Sequence, residues 1–250
     1  MPPPVRRRFF VDRFENGGAR LAGGAAEHLA RVLRAEEGEL YELSDGREVF
    51  LARIARVGRG AVDFTLAEPV PVPASRLRIT LLLAVVKFDR LEWALEKATE
   101  LGADVVIPVA AERSTKALVA AAGKRAARWS AILLESAQQA RCLRPPELRP
   151  LVKPAEAFRA AKGGLRLLLS ERPGAPRLRT IVEGHATSAT SAADPIDVSL
   201  AVGPEGGWTD SEFAGAASAG FREVSLGDRI LRTETAVAAG LAALHVYFDS

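Results

Sequence analysis

Two short segments in the last fifth of the chain contain residue types suited to holding a ligand and moving a proton. The first, residues 203–208 (GPEGGW), follows an apolar run, and the second places Arg232 and Glu234 at the start of a predicted helix. Glycines allow a backbone to approach a ligand closely. An arginine can stabilise developing negative charge, and a carboxylate can accept a proton. The sequence therefore predicts a ligand-binding site within residues 200–239, and an ordinary salt bridge stays open as the alternative to a chemical role for Arg232 and Glu234.

The order of elements around the glycine loop favours a ligand site but does not identify the ligand. Residues 198–202 predict a strand, and Thr209 and Glu212 form a capping-box pattern that predicts a helix directly after the loop. A strand, a glycine-rich loop and a helix start often bind ligands at the carboxyl edge of a parallel sheet. The loop has neither a phosphate-binding lysine nor dinucleotide-type glycine spacing. A tight structural turn stays open as the alternative.

Alternating strands and helices from residue 77 onward predict an α/β domain with a mainly parallel sheet, which would position these segments. The predicted strands are 77–86, 105–109, 165–170, 196–202 and 223–226, and the predicted helices are 89–101, 124–140 and 233–247. Residues 184–195, rich in Ser, Ala and Thr, predict an exposed loop.

The first part of the chain predicts a different architecture. Short β-prone runs separated by glycine turns surround one helical stretch, which is typical of a small barrel. The runs are 8–11, 39–43, 48–55 and 61–66, and the helical stretch is 25–33. Prolines at 69, 71 and 73 predict a stiff connector. We therefore predict two domains, residues 1–72 and 73–250.

Composition excludes several classes of protein. The 250 residues carry a formal net charge of +3, and the single cysteine, Cys142, excludes an intramolecular disulfide and a cysteine zinc cluster. Three scattered histidines lack metal-ligand spacing, so we expect no metal. No apolar run is long enough to span a bilayer, and no secretory pattern begins the chain, so we expect a cytoplasmic protein without membrane contact. Residues 113–149 hold eight basic and two acidic side chains, which fits either a solvated helix face or a surface that binds a nucleic-acid backbone.

Taken together, the motifs resemble the RsmE family of the SPOUT superfamily of knotted methyltransferases. GPEGGW at 203–208 is paired with LGDRILRTETA at 226–236, and upstream matches are KFDR at 87–90, KATELG at 97–102, ERS at 112–114 and ESAQQAR at 135–141. The resemblance covers nearly the whole chain. Phe88 departs from the pattern, because the family more often has a small residue at that position.

The resemblance implies both a fold and a function. Residues 1–72 would be a PUA-like RNA-binding β-barrel, and residues 73–250 a SPOUT domain with a C-terminal trefoil knot. The protein would methylate N3 of a uridine in 16S ribosomal RNA with S-adenosylmethionine as cofactor. Its partners would be 16S ribosomal RNA or the 30S subunit, and it would form a homodimer. The alternatives are a non-catalytic RNA-binding or ribosome-assembly protein and a SPOUT ribose 2′-O-methyltransferase. The latter family typically uses an asparagine, and none follows Asn16.

Three groups of site residues follow as hypotheses. The expected catalytic residues are Arg232 for charge stabilisation and Glu234 or Glu205 as base. The expected cofactor-binding residues are Leu169, Glu171, Gly203, Pro204, Glu205, Gly206, Leu226, Gly227, Ile230, Leu231 and Thr235. The expected RNA-binding residues are Arg6, Arg7, Arg8, Arg34, Arg113 and Arg141.

Overall fold

A computed structural model describes residues 7–72, 75–161, 164–186 and 195–248. Arg6 and most of the predicted 184–195 loop therefore lie outside the described residues. Contacts divide the chain into two compact units. The N-terminal unit comprises residues up to Ala74 together with Glu135–Pro145, and the C-terminal unit comprises Ser75–Leu134 and Pro146–Ser250.

The N-terminal unit contains a curled five-stranded sheet in the order β1-β3-β4-β5-β2. Only β1 and β3 pair in parallel, and the other neighbours are antiparallel. The elements are β1 Arg8–Phe10, β2 Gly18–Ala22, α1 Gly23–Glu27, a π-helical turn His28–Val32, β3 Leu40–Ser44, β4 Val49–Gly58 and β5 Ala61–Pro69. The four predicted strands are confirmed. Strand β2 was not predicted, and the predicted helix 25–33 is α1 followed by the π turn.

A buried ion pair fixes β1 to β3. Arg8 donates from Nε and Nη2 to Glu42 Oε2 at 3.1 and 3.0 Å, and its Nη1 reaches the Cys142 carbonyl at 3.2 Å. Arg141 pairs with the other Glu42 oxygen at 3.3 Å. Arg8 is only 6% exposed. The guanidinium of Arg8, which the sequence predicted to bind RNA, is thus committed to a buried carboxylate.

The C-terminal unit is built on a six-stranded sheet in the order β11-β9-β10-β6-β7-β8, with every neighbouring pair parallel. This confirms the predicted α/β class with a parallel sheet. The strands are β6 Leu77–Ala84, β7 Ala103–Val109, β8 Glu147–Leu148, β9 Leu165–Leu169, β10 Ile196–Val202 and β11 Arg222–Val224. The helices are α2 Phe88–Glu100, α3 Lys116–Ala122, α4 Ala126–Gln139, α5 Pro154–Ala160, α6 Leu178–Ala186, α7 Asp210–Ser218 and α8 Thr233–Phe248.

Both faces of this sheet are buried, which explains the continuous apolar runs in its strands. Successive residues of β10 point to opposite faces, so Leu200 packs into the core that includes α2 and α8, and Ala201 into the core with α5 and α7. Helix α8 lies close to the sheet at Gly240, where an added Cβ would stand 3.1 Å from Leu200. No helix among the described residues is long and apolar enough to cross a membrane.

The sheet order brings distant parts of the sequence to one edge. Strands β9, β10 and β11 lie side by side and run in the same direction, so the segments after Leu169, Val202 and Val224 leave the sheet at the same carboxyl edge. This is the edge at which α/β sheets commonly bind ligands.

Candidate active site

Three loops at the carboxyl edge of the C-terminal sheet enclose a cavity of about 450 Å³. This volume falls in the roughly 300–1,000 Å³ range of pockets that bind small molecules. Most of the predicted cofactor-binding residues line it: Leu169, Glu171, Gly203, Pro204, Glu205, Gly206, Leu226, Gly227, Ile230 and Leu231. The sequence thus predicted which segments would meet, although they lie on three separate loops.

The glycine loop after β10 is tightly packed. Gly207, at a φ of +69°, donates its N–H to the Pro204 carbonyl at 2.8 Å and closes a turn. A Cβ on Gly203 would stand 3.0 Å from the indole nitrogen of buried Trp208. The Gly203 carbonyl accepts a hydrogen bond of 3.1 Å from the Thr233 hydroxyl at the start of α8. Gly203 is therefore a position where a side chain has no space.

The predicted capping box begins α7 directly after this loop. The Thr209 hydroxyl accepts from the Glu212 N–H, and the Glu212 carboxylate accepts from the Thr209 N–H at 2.8 Å. Glu212 is 7% exposed, and its other oxygen accepts a 2.9 Å bond from the Glu112 N–H. One buried carboxylate therefore fixes the start of α7 to the loop after β7.

The segment after β9 forms another wall of the cavity. Arg172 forms an ion pair with Asp210, and its guanidinium carbon lies 3.7 Å from the centre of the Phe213 ring. Partial burial raises the pKa of the Glu171 carboxyl above its ordinary value. Of these residues, only Glu171 was predicted from the sequence to belong to the site.

A charged cluster joins the glycine loop to two other elements. Arg90, in the first turn of α2, pairs with Glu205 at 2.9 Å and lies 4.0 Å from a Glu234 oxygen. The Glu234 side chain is 14% exposed, and within the described part of the chain its second oxygen is buried without a hydrogen-bond partner. From the sequence, Arg90 was named only as part of a motif. Its position at the start of the helix that follows the predicted strand 77–86 was the signal that could have identified it.

Several predicted site residues do not lie where they were expected from the sequence. Arg232, Glu234 and Thr235 are absent from the cavity lining, although their neighbours Thr233 and Ala236 belong to it. Arg113, predicted to bind RNA, lines the cavity. Arg7, Arg34 and Arg141 belong to the N-terminal unit, as does Arg8, which is buried. Among the described residues, no group of acidic, histidine or cysteine side chains could hold a metal ion.

The arrangement suits a mid-sized ligand with an apolar part and polar groups, because the lining holds both carboxylates and guanidinium groups. Leu169, Leu226 and Leu231 offer apolar contacts, the glycine loop permits close backbone approach, and Glu171 and Glu205 bring carboxylates to the wall. Arg90 contacts both Glu205, which lines the cavity, and Glu234, so the guanidinium joins the two carboxylates at the edge of the cavity.

Comparison with known proteins gives a consistent family assignment. The RNA methyltransferase domain family matches residues 73–245. The ribosomal RNA small subunit methyltransferase E of Mycobacterium tuberculosis is 33% identical over 97% of this chain and 92% of its own length. That of Synechocystis is 33% identical over 89% of this chain and 71% of its own length.

Solved structures agree over the whole chain. The ribosomal RNA small subunit methyltransferase E of Neisseria gonorrhoeae, bound to S-adenosylmethionine, is 29% identical with a TM-score of 0.81 and covers 96% of this chain and 97% of its own. A Legionella pneumophila methyltransferase in complex with the same cofactor is 32% identical with a TM-score of 0.80 and covers 96% of both chains. The chain therefore belongs to the RNA methyltransferase family, among the ribosomal RNA small subunit methyltransferases E (RsmE).

Proposed function

We propose that this protein uses S-adenosylmethionine to methylate N3 of a uridine in the 16S ribosomal RNA of the small subunit. The observation that carries the proposal is the three-loop cavity at the carboxyl edge of the sheet, found in a chain that belongs to the RsmE family. Two relatives of similar fold are described as bound to this cofactor, and the relatives' names give the substrate class.

The residues present fit this cofactor. S-adenosylmethionine has an adenosine part that needs apolar contacts and a sulfonium that carries positive charge. Leu169, Leu226, Ile230 and Leu231 would hold the adenosine, and Gly203 to Gly206 would let the backbone approach it. Thr235 lies outside the lining, so we do not propose it as a cofactor contact. When bound, the cofactor supplies a methyl group that is already activated for transfer.

The remaining chemical task for the protein is to expose and ionise the acceptor nitrogen. Neutral uridine N3 carries a proton and is a poor nucleophile, so a base must accept that proton. Glu234 and Glu205 are the two candidates, both next to Arg90. Arg232 would stabilise the negative charge that develops on the uracil oxygens. Because N3 lies on the Watson–Crick edge, the base must first leave its pair or stack.

The finer features of the fold are also part of the proposal. We assign residues 1–72 as a PUA-like RNA-binding barrel, which the curled sheet of the N-terminal unit supports. We assign residues 73–250 as a SPOUT domain with a C-terminal trefoil knot, and the protein as a cytoplasmic homodimer acting on 16S ribosomal RNA or the 30S subunit. Arg7, Arg34 and Arg141 are the described residues of the N-terminal unit that we propose for RNA contact.

Mass mapping of modified bases tests the proposal directly. Small-subunit RNA from cells with the gene should contain one base-methylated uridine that is missing from cells without it, and purified protein with S-adenosylmethionine should restore it. Methylation on the ribose fragment would instead support the 2′-O-methyltransferase alternative. No release or uptake of heat on titration with S-adenosylmethionine, with RNA binding retained, would support a non-catalytic assembly protein.

A further inference from the structure

Arg113 makes contacts that an RNA-binding arginine does not need. Its Nη1 donates to the Gly206 carbonyl at 2.8 Å and lies 3.3 Å from the Trp208 carbonyl. Both carbonyls belong to the glycine loop, and Arg113 itself lines the cavity. A charged donor that bridges two carbonyls fixes the direction of both peptide groups, because charge-assisted hydrogen bonds are strong and directional.

The stem of Arg113 packs against the same loop. A Cβ added to Gly206 would stand 3.2 Å from Arg113 Cβ and 3.4 Å from its Cδ. Glycine at 206 is therefore what allows the stem to lie against the loop backbone. The side chain contacts the loop along its length and not only at its tip.

The base of Arg113 is itself held in place. The preceding Glu112 N–H donates to the buried Glu212 carboxylate at 2.9 Å, and the Ser114 N–H closes a turn onto the Ala111 carbonyl at 3.0 Å. This turn follows β7, two strands away from β10 in the sheet. A rigid turn on one strand end thus presents a guanidinium to the loop on another.

We infer that Arg113 is a positioning residue of the cofactor site, which holds the loop 203–208 in its binding shape, and not a contact to RNA phosphates. The inference rests on the proposed use of S-adenosylmethionine. It predicts that loss of the guanidinium weakens cofactor binding, whereas a phosphate contact would weaken RNA binding and its salt dependence.

Arg113→Met, which keeps the length of the stem but removes the donors, tests the inference. The Kd for S-adenosylmethionine should rise roughly tenfold, as expected for losing a hydrogen bond from a charged group. In turnover assays the KM for the cofactor should rise by a similar factor while kcat changes less. The salt slope of RNA binding should stay unchanged. Lys116→Met, an exposed basic residue at the start of α3, should alter neither the cofactor Kd nor the cofactor KM.

Gly206→Ala combined with Arg113→Met gives a second test, since the new Cβ would push the Arg113 stem away from the loop. Because both changes break the same contact, the double variant should bind the cofactor no more weakly than Gly206→Ala alone. Arg113→Gln carries the test if the Met variant fails to fold. Wild-type cofactor affinity in Arg113→Met would overturn the inference, and a salt slope for RNA reduced by about one in that variant would assign Arg113 to a phosphate contact instead. Failure of the proposed function is distinguishable from this, because the wild-type protein itself would then bind no S-adenosylmethionine.

Discussion

At the scale of single residues, Gly203 shows how closely the glycine loop 203–208 is packed. Its missing side chain leaves space that the edge of Trp208 fills, and its carbonyl accepts from Thr233. Any side chain here must displace a buried indole or shift the loop. Gly203 thus determines the shape of the cavity although it contributes no functional group.

Gly203→Ala should therefore weaken S-adenosylmethionine binding by about tenfold, since either the loop or the Trp208 indole must move by a few tenths of an ångström to make room. Isothermal titration measures the change. Gly215→Ala on α7 is the matched control, because nothing lies within 4 Å of its added Cβ. Equal affinity of the two variants would show that the packing at Gly203 does not determine the shape of the cavity.

Arg232 is the residue whose proposed role is purely chemical. It is exposed and lies just before α8, outside the cavity lining. Arg232→Ala should lower the rate of methyl transfer by about 100-fold or more, as is usual when a charge-stabilising donor is removed, and leave the cofactor Kd within about twofold. Arg222→Ala on β11 is a control for the loss of one exposed arginine. Full activity of Arg232→Ala would remove Arg232 from the mechanism.

At the scale of elements, the capping box of α7 has a structural role beyond the helix start. Glu212 satisfies the N–H groups of Thr209 and Glu112 from its two oxygens. A buried carboxylate with two such donors stabilises the loop after β7 and the loop after β10 together.

Glu212→Gln should lower the free energy of unfolding by about 1–3 kcal/mol, because an amide has one accepting oxygen and leaves one buried N–H unsatisfied. Urea denaturation measures the loss. The same change at exposed Glu183, which pairs with Arg179 on α6, should cost less than about 1 kcal/mol. A loss at Glu212 no larger than that at Glu183 would contradict its bridging role.

Much of the element pattern was readable from sequence. Buried parallel strands such as β6 and β10 give long apolar runs, and α2 shows a clear helical period. Helices α3 and α5 were missed because seven residues give too few turns for a period to emerge. Strand β2 was missed because its residues alternate weakly and it begins at a glycine.

The candidate site could be predicted where its residues lie close together in the sequence. The glycine loop and its capping box are contiguous, so residue types alone identified them. Arg90 was missed as a site residue because its partner Glu205 lies 115 positions away. The buried pairing of Arg8 was not predicted for a similar reason, since a run of arginines does not reveal the buried Glu42 that one of them meets in the fold.

At the scale of the whole molecule, the two units carry separable parts of the proposed function. All residues that line the cavity lie in the C-terminal unit, whereas Arg7 and Arg34 lie in the N-terminal unit. A double Arg7→Gln, Arg34→Gln variant should bind RNA more weakly, with a salt slope reduced by about one for each lost phosphate contact. Its cofactor Kd should equal that of wild type.

Filter binding across a salt series measures the salt slope of RNA binding, and a parallel titration measures the cofactor Kd. Arg13→Gln is a suitable control, because Arg13 already pairs with Glu15 at 2.7 Å and is expected to contribute little to RNA binding. An unchanged salt slope in the double variant would exclude this part of the N-terminal unit from the RNA surface.

The order of strands in the C-terminal sheet has a consequence for the timing of synthesis. Strand β11 follows β10 in the chain but adds to the sheet beside β9, and Thr233 of α8 then bonds to Gly203. On the ribosome, the segments after β9 and β10 are therefore synthesised seconds before residues 226–236, which complete the cavity. The chain therefore cannot gain stability from a cofactor that contacts all three loops until residues 226–236 have joined the other two loops.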